Sequence, residues 1–477
     1  MPGDHPLPAP ALASGSGRPD GPAALRPLLG TVLDALAAGA RARGGPVPAG
    51  GPEAVAARVA DVLGDALPER GDPDALRTLV QALAEGAADP ADPLCAAHLH
   101  CPPLAVATAA DLAVSVLNPS LDSWDQAPAA SVLEAAVTRA LAHAAGLADA
   151  LVTTGGTESN QLALLLAREA HGAGVRLVCG TNAHHSLARA AWLLGLPDPV
   201  VVPAPSGILD PAALDDALTT LPGPLLVAAT AGTTDAGLID PLPEIAGLCA
   251  AHGTRLHIDA AYGGGLLFSD RYRDRLAGLE AAQTVTLDLH KLGWQPVAAG
   301  LLALARPAEL AALHQRADYL NADDDTEAGF PDLLGRSLRT TRRPDILKIA
   351  VTLKTLGRTG LGDLVDQVCA HARAFAALVD AHPGFELYDR PAISTVLFRP
   401  AGADDDAVAA VRRRLLHEGR AVLGRARLGG RLWLKATFLN PRTRPDDLTR
   451  LLELTHTRPV NPAEAGRTEP AEEGTPA

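Results

Sequence analysis

Three short runs in this 477-residue sequence put reactive side chains where apolar segments end. In Asp288-Leu289-His290-Lys291 a lysine follows the apolar run TVTLD. An ammonium in an apolar setting is destabilised by desolvation, and the free amine can form a Schiff base with an aldehyde. Earlier, His257-Ile258-Asp259-Ala260-Ala261-Tyr262-Gly263-Gly264 carries one carboxylate at the end of an apolar segment. Such a buried carboxylate calls for a cation opposite it, although an Asp there could also simply cap the glycine turn. Earlier still, Thr154-Gly155-Gly156-Thr157-Glu158-Ser159-Asn160 joins an apolar run to a helix-like stretch. Its glycines permit a tight turn, and the first helix amides with the Thr157 and Ser159 hydroxyls would converge on an anion such as a phosphate. A plain Gly-Gly turn with Thr and Ser as N-caps reads the same way, and neither a P-loop nor a dinucleotide-binding fingerprint matches.

The elements that must position these runs follow from periodicity. From about residue 148, short apolar runs (ALVTT, VRLVC, VVVPA, LLVAAT, RLHID, TVTLD, GLLALA) alternate with amphipathic stretches such as Glu158 to Glu169, Ser186 to Leu194, Pro211 to Leu218 and Leu242 to His252. That alternation predicts an α/β fold with a mostly parallel, seven-stranded sheet covered on both faces. Ligands of such sheets bind beyond the carboxyl ends of the strands. The anion turn, Asp259 and Lys291 are each expected at that edge, on different strands. Their conjunction is more telling than any one of them.

Around this core we expect a disordered tail over 1–22, a helical segment over 23–98, a large cofactor-binding domain over 99–343, a small α+β domain over 344–457, and a second disordered tail over 458–477. In the small domain, helices are expected at Ile346 to Leu356, Leu364 to Val379 and Ala407 to Leu416, with strands at Ser394 to Phe398 and Leu432 to Phe438. Residues 317–335, polar and acidic, read as a mobile loop. The net charge of -14 argues against a nucleic-acid partner. No apolar run approaching a membrane span is evident, and the beginning of the chain shows no basic and apolar leader, so a cytoplasmic protein is expected. Five scattered cysteines suggest neither a disulfide framework nor a zinc site, and no metal is expected at the His98-Leu99-His100-Cys101 run.

Seven runs in order resemble the pyridoxal-5'-phosphate (PLP) dependent group II amino-acid decarboxylases: HLHCPP (98–103), LNPSLDSWDQAPAASVLE (117–134), TTGGTESN (153–160), ATAGTTDAGLIDP (229–241), HIDAAYGG (257–264), LDLHK (287–291) and RSLRTTRRPDILK (336–348). The resemblance spans about residues 92 to 455 and looks closest to the branch acting on diaminobutyrate and lysine. It implies the fold-type I PLP-dependent transferase architecture, a homodimer, and PLP held on Lys291. Asp259 would pair with the pyridinium nitrogen, and Gly156, Thr157 and His290 would hold the phosphate. His184, with His185 as the second choice, would stack over the ring, Ala261 would lie against it, and Thr233 would face its phenolic oxygen. His98, His100 and Gln126 resemble residues at the substrate entrance.

The implied reaction is decarboxylation of an L-amino acid, a diamino acid such as 2,4-diaminobutyrate, ornithine or lysine, to the amine and CO2 through the Lys291 Schiff base. Aromatic-amino-acid members carry a tyrosine proton donor in the mobile loop. The matching stretch here, 329–336, has Phe330 and no tyrosine, and Tyr319 lies upstream. That departure leaves the proton donor unassigned and keeps a decarboxylating aldehyde synthase, or a glutamate or aromatic amino-acid decarboxylase, as the alternative. A Cα–Cβ lyase and a silent binding relative are the more distant readings. The acidic run Asp323-Asp324-Asp325 with Glu327 could attract a distal ammonium or be a solvated face.

Overall fold

The computed structural model describes residues 11–15, 20–314 and 317–456. Most of the two expected tails therefore lies outside the described residues. The chain starts with α1 (Pro22–Arg43), α2 (Gly51–Leu63) and α3 (Ala75–Gly86). Helices α1 and α3 approach closely where α1 has Gly39; a Cβ there would lie 2.4 Å from the Gln81 carbonyl oxygen. By length and composition alone, α1 would suffice to cross a membrane. Its apolar residues are nevertheless interrupted by Arg26 and Asp34, so it contains no continuous apolar run of membrane-spanning length.

A two-residue strand, β1 (Cys95–Ala96), and helices α4 (Ala105–Leu117) and α5 (Pro128–Ala144) lead into the large sheet. That sheet is built from β2 (Asp149–Thr153), β3 (Arg176–Gly180), β4 (Val200–Val202), β5 (Leu225–Thr230), β6 (Arg255–Ala260), β7 (Thr284–Asp288) and β8 (Gly300–Leu304). Their order is β2-β8-β7-β6-β5-β3-β4, and only β8 runs against the rest. The crossovers are α6 (Gly156–His171), α7 (His185–Leu193), α8 (Pro211–Thr220) and α9 (Leu242–Ala251), followed by a single turn, α10 (Leu289–Leu292), after β7. The central strands are buried along their whole length, as a sheet covered on both faces requires.

The expected loop over 317–335 contains two short helices, α11 (Asp318–Asn321) and α12 (Asp323–Glu327), and Phe330 packs against Trp124 with ring centroids 5.0 Å apart. The two helices expected at Ile346 to Leu356 and Leu364 to Val379 lie within α13 (Ile346–Ala381) and are divided by a break at Gly357, whose φ of 66° and ψ of 177° are not helical. The remaining elements are β9 (Phe385–Leu387), β10 (Thr395–Pro400), α14 (Asp405–His417), β11 (Val422–Leu428), β12 (Arg431–Thr437) and α15 (Pro445–Thr455). They form a second sheet, β1-β11-β12-β10-β9, over a core of their own centred on Phe375 and Phe398.

The arginine-rich run over 336–348 is a strap onto the large domain. Arg336 forks onto Asp149, Arg342 pairs through both nitrogens with the fully buried Glu134 at 2.7 and 2.8 Å, and buried Lys348 sits 3.1 Å from Asp111 and 3.2 Å from Asp345. Each cation is bonded, as burial demands. The small domain is tied on by Trp294, whose indole N–H donates to the Leu439 carbonyl at 2.8 Å, and by the Tyr262 hydroxyl, which meets Ser394 and Thr395 at 2.8 and 3.0 Å. Burial pushes the Tyr262 phenol up to about 12, so it is a neutral structural bridge.

Candidate active site

Because β5, β6 and β7 are adjacent and parallel, their last residues fall in a row. Thr230 lies opposite Asp259 in the register, and Asp288 ends the next strand. Strand β2 ends on the same edge, and its Thr153 leads into the glycine turn at the N-terminus of α6. These ends surround a cavity of about 470 Å³, walled by Thr154, Gly155, Gly156, Thr157, His184, Thr230, Gly232, Thr234, Asp259, Ala261, Tyr262, Asp288, His290 and Lys291, with His98, Leu99 and Lys435 closing it. The three runs singled out in the sequence do converge.

The glycine turn has a steric basis. Gly155 has φ 150°, and a Cβ on it would stand 2.9 Å from the His290 Cε1; a Cβ on Gly156 would meet the Ala261 Cβ at 3.1 Å and an Asp288 carboxylate oxygen at 3.2 Å. Gly300 on β8 is required as well, because a Cβ there would sit 2.4 Å from the Gly155 Cα. The first amides of α6 thus face a hollow that side chains would otherwise fill, which is the requirement for an anion site.

Asp259 is held by its neighbours. Its Oδ1 accepts from the Ala261 amide at 3.0 Å and its Oδ2 from the Asn160 Nδ2 at 2.8 Å. Since a carboxylate can only accept, the Asn160 amide orientation is set, and its Oδ1 must accept from Thr286 (2.9 Å) and from His257 Nε2 (3.0 Å). His257, fully buried, then carries its proton on Nε2 and accepts from the Thr284 hydroxyl at 2.9 Å. Burial lowers His257 to about 4, so it is neutral and leaves the Asp259 charge uncompensated.

Lys291 reaches Asp288, with its Nζ 2.9 Å from Oδ2, while His290 Nε2 lies 3.6 Å from the same oxygen. The other Asp288 oxygen and His290 Nδ1 are buried without a hydrogen-bond partner among the described residues. His184 Nδ1 lies 2.7 Å from the Ser186 hydroxyl. Burial is the leading influence on His184, His290 and His98, and it pushes all three below the ordinary imidazole value. Cys101 is inert: burial raises its thiol to about 12 while it donates to the His290 carbonyl at 3.1 Å.

Of the residues expected here, Lys291, Asp259, Gly156, Thr157, His184, Ala261, His290 and His98 line the cavity. His185 stacks on His184 with centroids 4.1 Å apart and is not on the wall. Three of the expected residues are not on this wall. Thr233 turns into its own loop, where its hydroxyl accepts from the Leu238 amide at 3.0 Å, and Thr230, Gly232 and Thr234 form the wall instead. His100 lines a neighbouring hollow shared with His98. Gln126 donates to Asp122 and Ser123 at 2.9 and 2.8 Å and does not border the cavity.

Sequence reasoning missed several wall residues, Thr230 and Lys435 among them. Thr230, whose hydroxyl is buried and unpartnered among the described residues, sits at the end of β5 opposite Asp259, and that register position was its signal. Lys435 is a buried cation in β12; its Nζ donates to the Thr234 carbonyl at 2.9 Å, and burial lowers its affinity for a proton.

Comparison with known proteins agrees with this geometry. The family model described as "Pyridoxal-dependent decarboxylase conserved domain" matches residues 61–401. The chain belongs to that family. An L-2,4-diaminobutyrate decarboxylase of Rhizobium meliloti (strain 1021) is 42% identical over 76% of this chain and 77% of its own length. An enzyme of the same name from Acinetobacter baumannii is 33% identical over 75% and 78%. The crystal structure of the glutamate decarboxylase domain of diaminobutyrate-pyruvate transaminase and L-2,4-diaminobutyrate decarboxylase from Vibrio parahaemolyticus superposes with TM-score 0.81 at 30% identity, covering 93% of this chain and 96% of that one. The chain is thus a PLP-dependent amino-acid decarboxylase. The site has what PLP needs: a hollow at a helix N-terminus for the phosphate, a buried carboxylate lacking a cation for the ring nitrogen, and a lysine on the same cavity wall.

Proposed function

We propose that the protein decarboxylates an L-amino acid bearing a second amino group, 2,4-diaminobutyrate first, as a cytoplasmic homodimer. The observation that carries the substrate is the 42% identity, over three quarters of both chains, to an L-2,4-diaminobutyrate decarboxylase. Bound PLP supplies an electron sink for the pair left when CO2 departs. The chain's residues do the rest. Lys291 would hold the cofactor covalently. Asp259, fixed by Asn160 and the Ala261 amide, would pair with the protonated ring nitrogen. Gly155, Gly156 and Thr157 at the start of α6, with His290, would hold the phosphate, and His184 and Ala261 would hold the ring. Lys435 is suited to hold the substrate carboxylate.

The dimer reading is supported by an apolar surface on the N-terminal helices, with Leu33 on α1 and Leu83 on α3 66% and 72% exposed. Five free cysteines agree with a reducing compartment.

The test is an assay of CO2, amine, aldehyde and ammonia over diaminobutyrate, ornithine, lysine, glutamate and aspartate. We expect CO2 and amine in equal amounts, with diaminobutyrate preferred. A preference for an acidic substrate, or aldehyde with ammonia, would contradict the reading. Lys435→Met is expected to lower kcat/KM by about 10- to 100-fold, since a hydrogen bond to a charged group contributes roughly 1.5–3 kcal/mol. The absorbance of the bound cofactor should be unchanged.

A further inference from the structure

His184 and Asp259 stand on different elements of the cavity wall, yet two fully buried side chains, Asn160 and Ser186, join them. The Asn160 Nδ2 lies 2.8 Å from Asp259 Oδ2 and 2.9 Å from the Ser186 hydroxyl, and that hydroxyl lies 2.7 Å from His184 Nδ1. We propose that Asn160 and Ser186 are positioning residues that lock His184 as the neutral tautomer protonated on Nε2, so that its free nitrogen meets a ligand as a hydrogen-bond donor and takes no proton there. The use of that donor on a substrate rests on the placement of PLP in this cavity; the lock itself does not.

The tautomer follows from counting protons. The Asn160 oxygen accepts from Thr286 and His257, so the two hydrogens on its Nδ2 are what it offers to Asp259 and to Ser186. Having accepted from Asn160, the Ser186 hydroxyl directs its own hydrogen to His184 Nδ1, its other partner. A second donor agrees independently. His184 is the N-cap of α7, and the Ser186 backbone amide, which can only donate, points at the same Nδ1 from 3.3 Å. A ring nitrogen that accepts from both carries no proton, so the proton of the neutral imidazole is on Nε2.

The same arrangement opposes a second proton. An imidazolium would set an Nδ1 hydrogen against the Ser186 amide hydrogen and deprive the buried hydroxyl of its acceptor, at the positive end of α7. Burial is the leading influence on this ring and also favours the neutral form. Among the charged and titratable groups around it, Asp259 on β6 and Asp288 at the end of β7 favour a cation. His185, stacked on it from α7, and Lys291 on α10 oppose one. The two anions are thus met by two opposing groups, and the hydrogen bonds decide which nitrogen holds the one proton.

The experiment is heteronuclear NMR of cofactor-free protein carrying isotope-labelled histidine nitrogens, with the His184 ring signals identified as those missing from His184→Gln. In the wild type at about pH 7, Nε2 is expected at the shift of a protonated nitrogen and Nδ1 at that of a bare one. Ser186→Ala and Asn160→Ala should each raise the pH of half-protonation of His184, by about one unit for the lost hydroxyl bond, and Asn160→Ala should also bring the two nitrogen shifts closer together. Either variant suffices if the other fails to fold. A wild-type His184 protonated on Nδ1, or doubly protonated at that pH, would overturn the inference, and so would a half-protonation pH that neither substitution moves. Binding of PLP is followed separately by absorbance. A wild type with the expected tautomer that binds no PLP would overturn the reading of the cavity and leave the lock standing.

Discussion

Asp259 and Asp288 end neighbouring parallel strands and are almost equally buried, yet the chain surrounds them differently. Asp259 is clamped by neutral donors, the Asn160 amide and the Ala261 backbone, and the nearest imidazole, His257, is held neutral by burial. Its charge is therefore available to a ligand. Asp288 already has its cation in Lys291 and has one oxygen to spare. Both are aspartates near the carboxyl ends of neighbouring strands, and the donors supplied by α6 and α10 decide what each carboxylate does.

The sharpest way to break the contrast is to neutralise the ring-facing carboxylate. Asp259→Asn should bind PLP but lose about 10²- to 10³-fold in kcat, the scale of removing one well-placed electrostatic contact. Steady-state kinetics with the cofactor absorbance followed in parallel would show it; a loss confined to KM would mean that Asp259 only positions substrate.

The next effect concerns pH. His257 is pushed from 6.5 down to about 4, so the unfolded chain binds the extra proton first as pH falls. Stability attributable to this residue is fully present above about pH 6.5 and is lost towards about pH 4, at roughly 1.4 kcal/mol per unit within that window. Urea midpoints between these pH values should fall less steeply for His257→Gln than for wild type. A parallel fall would place the acid sensitivity elsewhere.

The smallest expected change comes from loosening the clamp. Asn160→Ala should reduce kcat by about tenfold, roughly one hydrogen bond, and make the absorbance of bound cofactor more sensitive to pH. An unchanged pH profile would mean that Asn160 is only packing.

The large sheet was readable because fully buried strands are uninterrupted apolar runs, and glycine punctuation marks their ends. Lys291, Asp259 and the turn at Gly155 and Gly156 were readable for the same reason, as polar residues at the end of such runs. What escaped was set by geometry across the chain. Thr233 and Thr230 look alike in sequence, and only the bond of the Thr233 hydroxyl to Leu238 turns it away. Lys435 comes from the small domain, more than a hundred residues from the other wall residues in the chain, and no periodicity links it to them. Gly357 reads as a break, and its non-helical backbone does divide α13 into two helical stretches.

The account turns on Lys291 as the residue that carries the cofactor. Protein loaded with PLP, reduced with borohydride and digested, should show the cofactor mass on the peptide containing Lys291 alone. Lys291→Ala should lose that adduct together with about 10³-fold or more of the CO2 evolution. Cofactor on the peptide containing Lys435 or Lys348, or full CO2 release by Lys291→Ala, would contradict the account.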